Sequence, residues 1–232
     1  MVSPYKDLKE MAWMGNLELF KRGLVVYTFG NLSVIDRDKG VFAIKPSGVP
    51  YEKLKPEDMV VVDLNNKVVE GRLKYSSDTK THSVLYRNFL EIGSVVHTHS
   101  TYSVAWAQIA KPIPLLGTTH ADHTTMDIPC TKFMDDEKIS GDYEEETGNL
   151  IVECFKNISY KEVEMVLVAG HGPFTWGADY EKAVYNSVIL EELAKMSFIT
   201  LCLDKNTPRL KNSIIRKHYE RKHGKNAYYG QK

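Results

Sequence analysis

The chain has 232 residues, with 30 Lys+Arg against 30 Asp+Glu. That balance gives no global field to attract nucleic acid or an anionic membrane. Its 43% hydrophobic and 26% charged content is ordinary for a globular protein. The length suits one large domain over residues 1–232, with no linker in sight. Three cysteines, Cys130, Cys154 and Cys202, are widely spaced and form no CxxC pair. They fit a reducing cytoplasm rather than a disulfide framework or a cysteine zinc cluster. The opening residues 1–13 lack the apolar core of a signal peptide, and no run approaches a membrane span, so a cytoplasmic protein is expected.

In chain order, Ser3-Pro4 reads as an N-cap followed by proline at the first helical position, with Gly23 as the stop. Leu8, Met11, Ala12 and Leu19 recur between them at helical spacing. Short β-rich runs follow at Leu24–Thr28, Leu32–Ile35 and Val41–Ile44, then Met59–Leu64 and Lys67–Glu70 around an Asn65-Asn66 hairpin turn. This first third is a meander, not a series of βαβ units. A helix is predicted over Thr79–Phe89, and a strand from Val95 to Ser100 carries His97 and His99. A helix over Tyr102–Ile109 and a polar loop over Gly117–Asp127 come next. Glu144–Phe155 reads as a helix with an acidic start, and Met165–Ala169 as a buried strand delivering Gly170-His171-Gly172-Pro173. Asp179 caps a long helix to about Leu203, and a basic helix covers roughly Ile214–Lys222. The expected fold class is α/β, a largely antiparallel sheet with helices packed on it.

Successive side chains on a strand alternate faces, so His97 and His99 point the same way. Two imidazoles on one face, joined by His171 from a strand-end loop, make a three-histidine metal site with an open position. The competing readings are a strand cap, a core histidine and a self-solvated turn histidine. Lys45-Pro46-Ser47-Gly48 and Tyr75-Ser76-Ser77-Asp78 are strand-end clusters of hydroxyls with a lysine or glycine nearby, as a phosphate pocket needs. Ser76-Ser77-Asp78 is equally an ordinary helix N-cap. Asp122, within Thr118-Thr119-His120-Ala121-Asp122, is either a general acid/base or a solvated turn former. The charged run Lys217–His223 is either a solvated face or, beside Tyr228-Tyr229, a setting that lowers a phenol pKa.

These pieces together resemble the class II aldolase/adducin family, and within it the pentulose-phosphate 4-epimerases. The resemblance runs nearly end to end, through Phe29-Gly30-Asn31-Leu32-Ser33, Lys45-Pro46-Ser47-Gly48-Val49, Ser76-Ser77-Asp78-Thr79 and His97-Thr98-His99-Ser100. It continues through Gly117–Asp122, Tyr143-Glu144, Gly170–Phe174, Arg221–Gly224 and Ala227-Tyr228-Tyr229-Gly230. It implies three-layer α/β/α subunits in a homotetramer, with active sites near the interfaces and the C-terminal helix and tail reaching a neighbour's site. By the same carry-over His97, His99 and His171 hold a divalent metal, Zn²⁺ or else Mn²⁺ or Co²⁺, with Asp78 close enough to bind it or its water. Asn31, Lys45, Ser47, Gly48, Ser76 and Ser77 cradle the phosphate of a small sugar phosphate, and Thr118 and Glu144 line the pocket. Asp122, His218, Arg221 and Tyr229 meet the substrate largely from the neighbouring chain, with Asp122 and Tyr229 as the acid/base pair.

The activity so implied is 4-epimerisation of L-ribulose 5-phosphate to D-xylulose 5-phosphate by cleaving and remaking C3–C4. A zinc-dependent sugar-phosphate aldolase of the same family is the runner-up. Aldolase relatives usually carry Glu where this chain has Asp78 and lack the Ala227–Gly230 ending. An adducin-like module without metal chemistry is the non-enzymatic alternative, and it has no need of three convergent histidines.

Overall fold

Alternation of side chains along seven short strands sets the architecture. The structure, a computed structural model, describes residues 3–225 together with 227 and 228. Its strands are β1 (Asn31–Asp36), β2 (Val41–Ile44), β3 (Val60–Asp63), β4 (Val68–Glu70), β5 (Ser94–His97), β6 (Met165–Val168) and β7 (Gly172–Gly177). They form one sheet in the order β4-β3-β2-β1-β5-β7-β6, every neighbouring pair antiparallel. The helices are α1 (Lys6–Lys21), α2 (Thr79–Asn88), α3 (Thr101–Gln108), α4 (Thr118–Ala121), α5 (Asp136–Ile139), α6 (Tyr143–Cys154), α7 (Tyr180–Leu203) and α8 (Asn212–His223).

Each face of the sheet buries its own set of residues. Phe42, Ile44, Val60, Val62, Val95, Phe174 and Trp176 face Leu85 and Tyr86 of α2, Phe89 just after it, and Ile151 of α6. Their chain neighbours Val41, Ala43, Val61, Leu32, Val34 and Val96 face Leu8, Ala12 and Leu19 of α1 and Ala183 and Val184 of α7. The result is the expected three-layer α/β/α arrangement. Each fully buried Leu, Ile or Phe contributes roughly 1.5–3 kcal/mol against exposure, so both helical layers are held by apolar burial. Arg37, just beyond β1, ties down the far end of α2 by donating to the carbonyls of Tyr86, Phe89 and Ile92.

Most predicted elements are found within a residue or two, and the departures have physical causes. Leu24–Thr28 is not a strand, because β1 already pairs with β2 on one edge and β5 on the other. Leu24 and Val25 are buried all the same, and the segment turns at Tyr27, whose φ is +54°. The histidine strand stops at His97, so His99 lies beyond its end. The loop Gly117–Asp127 contains the short α4, and α5 was not anticipated. β7 begins within Gly170–Pro173 and runs to Gly177, a stretch for which the sequence carries no strand expectation, bounded by glycines and holding Pro173. The proline sits at the second position, near the strand's start, where a missing N–H is best tolerated. No helix among the described residues is long and apolar enough to cross a membrane.

Where α2 and α6 cross, Gly148 leaves no room for a side chain: a Cβ there lies 2.6 Å from Cβ of Val84. Gly148→Ala gains about 1 kcal/mol of helix propensity but forces an overlap costing about 1–3 kcal/mol. The expected outcome is net destabilisation in urea unfolding, only partly relieved when Val84→Ala is added, because alanine removes the two Cγ atoms but keeps the Cβ that lies nearest.

Candidate metal centre and active-site cleft

The register of three central strands builds one wall of the site. Asn31 pairs with His97 across β1 and β5, and His97 with Phe174 across β5 and β7. All three side chains therefore share the face that looks toward α2. The Phe174 ring stacks on His97 at a centroid distance of 4.3 Å. Nδ1 of His97 lies 3.0 Å from the carbonyl oxygen of Pro173. A carbonyl only accepts, so Nδ1 carries the proton and Nε2 is left with its lone pair. That Nε2 lies 3.0 Å from Nε2 of His99.

His171 arrives from the turn between β6 and β7, after Gly170 at φ +72°. The turn comes close to the histidine strand because Gly172 has no side chain: a Cβ there would stand 2.9 Å from the carbonyl oxygen of Thr98. The His171 ring centroid is 4.7 Å from that of His97 and 5.3 Å from that of His99. One ring nitrogen from each of these three histidines lies within 4.8 Å of the others. Burial, reinforced by His97, pushes the His171 pKa down to about 4 and lowers that of His99. Both rings are therefore neutral donors near pH 7. Nδ1 of His171 is buried with no partner among the described residues. Two imidazole nitrogens in contact and a third buried without a partner fit a divalent metal ion.

Asp78 lies on the same wall. Asn31 donates from Nδ2 to Oδ2 of Asp78 at 2.6 Å and to Oγ of Ser76 at 3.0 Å. Asp78 precedes α2, yet no side chain caps that helix's first turn, so Ser76-Ser77-Asp78 is not serving as an ordinary cap. Burial raises the Asp78 carboxyl, but His97, His82 and the Asn31 bond together hold it below its ordinary value. One helical turn on, Nδ1 of His82 lies 2.7 Å from Oγ of Ser33, which lies 2.8 Å from the Tyr86 hydroxyl. Asn31 and Ser33 on β1 thus engage Asp78, His82 and Tyr86 on α2 like rungs of a ladder. Two residues of strand rise roughly 6.6 Å and four residues of helix about 6 Å, so the rungs keep step.

Lys45 is 2% exposed, and burial brings its pKa down to about 8. Among the described residues its Nζ reaches the carbonyls of Thr28 and Pro46, both at 3.4 Å, and lies 4.7 Å from the centre of the Tyr51 ring. Among the described residues no carboxylate pairs with it. Lys45, Ser47, Gly48, Ser76, Ser77, Asn31, Asp78 and Glu144 line one cleft of about 370 Å³ with the three histidines. Phe29 and Tyr143 line it too, their rings 6.2 Å from His99 and 6.1 Å from His171. Neither had been assigned to the site, although both fall in segments that carry the family resemblance. Ser33 and His82 were also missed; the signal for His82 was its i+4 spacing from Asp78.

Four assigned residues gather elsewhere. Asp122, 9% exposed, ends α4 and binds α8. Its carboxylate accepts from Nε and Nη2 of Arg221 at 3.0 and 2.8 Å and lies 3.1 Å from Nδ1 of His218. Burial raises the Asp122 carboxyl, but the bonds from Arg221 and His218 outweigh it and hold the pKa low. Thr118 is exposed at the start of α4. None of these four lines the histidine cleft of its own chain. Tyr229 lies outside the described residues.

Residues 10–198 match the family described as Class II Aldolase and Adducin N-terminal domain. The chain belongs to the class II aldolase/adducin family. A solved L-fuculose 1-phosphate aldolase is 26% identical, with a TM-score of 0.76, over 95% of this chain and 97% of that one. YgbL from Escherichia coli, whose activity is given only as aldolase/epimerase/decarboxylase, shares the fold at 24% identity and a TM-score of 0.74, over 94% and 100% of the two chains. The L-fuculose 1-phosphate aldolase from Glaciozyma antarctica PI12 does so at 18% identity and a TM-score of 0.75, over 93% and 81%. Class II aldolases are typically dependent on a divalent metal, and the family's sheet is what brings these histidines together.

Buried histidines also make the protein's stability depend on pH. Burial holds the pKa of His82 at about 3 and those of His120 and His123 at about 4, below the ordinary 6.5. From pH 6.5 down to about 4 the unfolded chain takes up protons that the folded chain refuses. Stability is therefore full above 6.5 and falls through that window. Urea midpoints of the metal-free protein are expected to drop between about pH 7 and about pH 5; equal midpoints would contradict these burial-driven shifts.

Proposed function

We propose that this class II aldolase-family protein is an L-ribulose-5-phosphate 4-epimerase, forming D-xylulose 5-phosphate with a zinc ion at His97, His99 and His171. The observation that carries the reading is one cleft shared by a three-histidine group and a buried, carboxylate-free lysine. The first suits a metal and the second a phosphate. Asp78, in place of the glutamate usual among aldolase relatives, favours the epimerase, as does the Ala227–Gly230 ending.

The C4 hydrogen of a 2-ketopentose is not α to the carbonyl, so its removal has no nearby sink for the electron pair. Cleavage of C3–C4 has one, because those electrons flow toward C2. A divalent ion in the site supplies Lewis-acid stabilisation of the negative charge developing on the C2 and C3 oxygens. Lys45, Ser47, Gly48, Ser76 and Ser77 hold the phosphate, with the uncapped first turn of α2 adding backbone donors. Anchored there, the aldehyde fragment turns its other face to the enediolate instead of leaving, and the bond re-forms with C4 inverted. Asn31 orients Asp78 at the metal side. Tyr229 and Asp122 move the O4 proton on opposite faces, one for each epimer. Because Asp122, His218 and Arg221 do not line their own chain's cleft, a neighbouring copy in a homotetramer supplies them, with Thr118 beside Asp122.

The second reading is a class II sugar-phosphate aldolase, favoured by the 26% identity to L-fuculose 1-phosphate aldolase over nearly the whole chain. Carbon-13 NMR of zinc-loaded protein with L-ribulose 5-phosphate separates the two. Conversion to D-xylulose 5-phosphate, abolished by chelator, is expected. Free dihydroxyacetone and glycolaldehyde phosphate would mark the aldolase. Tyr229→Phe is expected to lower kcat by about 10²–10⁴ with folding intact. Lys45→Met is expected to raise KM for the phosphorylated sugar far more than it lowers kcat, which steady-state kinetics reads directly.

A further inference from the structure

We propose that Glu191, on α7, is a positioning residue for His99; the inference rests on the three-histidine metal reading. His99 sits in the short connection Thr98–Ser100 between β5 and α3. Upstream, β5 is fixed by hydrogen-bonded neighbours on both edges. Downstream, beyond one long Thr98 N–H bond to the Pro173 carbonyl at 3.4 Å, the connection is held by where α3 begins.

The first N–H groups of a helix have no partner inside it and need an outside acceptor. Ser100 occupies the N-cap position with extended backbone angles but makes no capping bond. Glu191 does the work from a distance. Its Oε1 accepts from the Tyr102 N–H at 2.8 Å, and its Oε2 from the Ser103 N–H at 2.9 Å and the Ser103 hydroxyl at 2.7 Å. One carboxylate thus takes three donors 88 or 89 positions earlier in the chain, and its charge is favourable at a helix start.

A local cap secures a helix end only to its own chain. This one secures α3 to α7, and α7 is itself tied to β7. The Thr175 hydroxyl donates to the Ala183 carbonyl at 3.0 Å, and Nδ2 of Asn186 to the Trp176 carbonyl at 2.7 Å. β7 starts at Gly172, immediately after His171. Glu191 therefore closes a path from the His171 turn, through β7 and α7, to the far side of the segment bearing His99, whose near side is held by the long Thr98–Pro173 backbone bond, and so helps set the spacing between two ligands.

The test compares Co²⁺ binding by the full-length wild type, Glu191→Gln and Glu191→Ala, using chelator competition and the visible absorption of bound Co²⁺. Trp106→Phe is the control. It removes the Nε1–H bond to the Ala194 carbonyl further along α3 but leaves the cap intact. The Glu191 variants are expected to lose about 10–100-fold in Co²⁺ affinity, as outer supporting partners of metal ligands do, with an altered absorption band. Trp106→Phe is expected to lower the Tm while keeping wild-type affinity and band. Glu191→Gln with unchanged affinity and spectrum would overturn the proposal, whatever its Tm. If neither Glu191 variant folds, Glu191→Asp, with its carboxylate drawn back, is read by the same criteria. A folded wild type that takes up no Co²⁺ removes the metal reading itself, and this proposal with it, a result plainly different from a loss confined to the variants.

Discussion

The register of β5 between β1 and β7 is the constraint on which the rest of the site depends. It sets Asn31, His97 and Phe174 in one row on one face. A slip of β5 by one residue would turn His97 to the α1 side, among Leu32 and Val34. Apolar burial on both faces opposes the slip. The hydrophobic layers thus fix the position of the polar groups set among them, and the ladder from β1 to α2 carries that position on to Asp78.

The cleft concentrates groups that burial has stripped of their ordinary charge balance. His99 and His171 are held toward the neutral form, and Lys45 is buried with no carboxylate beside it among the described residues. One end offers lone pairs to a cation, and the other offers hydrogen-bond donors and a cation to an anion. The proposed substrate, a sugar phosphate, would meet both ends.

Much of this was legible in the sequence because it is local. The meander, the i, i+2 histidines and the long helix after Asp179 follow from periodicity and caps that span only a few residues. The errors arise where a segment's fate is decided from far away. Leu24–Thr28 is apolar and β-rich, yet the strand beside it has no free edge. β7 is punctuated by glycine and proline, yet β5 and β6 on either side hold it extended. The metal and phosphate residues were found through strand-end clusters and the family resemblance. Ser33, His82 and Glu191 were not, because what makes them matter is a partner 49 to 89 positions away.

The C-terminal helix α8 is attached in a different manner from everything else. None of its residues is buried, and it meets the body largely through Asp122, reached by His218 and Arg221 and, through the main-chain carbonyl, by His223. Apolar burial tightens little with ionic strength, whereas attachment by charge weakens as salt screens it. The molecule is therefore mechanically heterogeneous: a frame fixed by packing, and an arm on a charged latch. Such an arm can exchange its grip for another carboxylate, on the same chain or an adjoining one, without disturbing a single core contact.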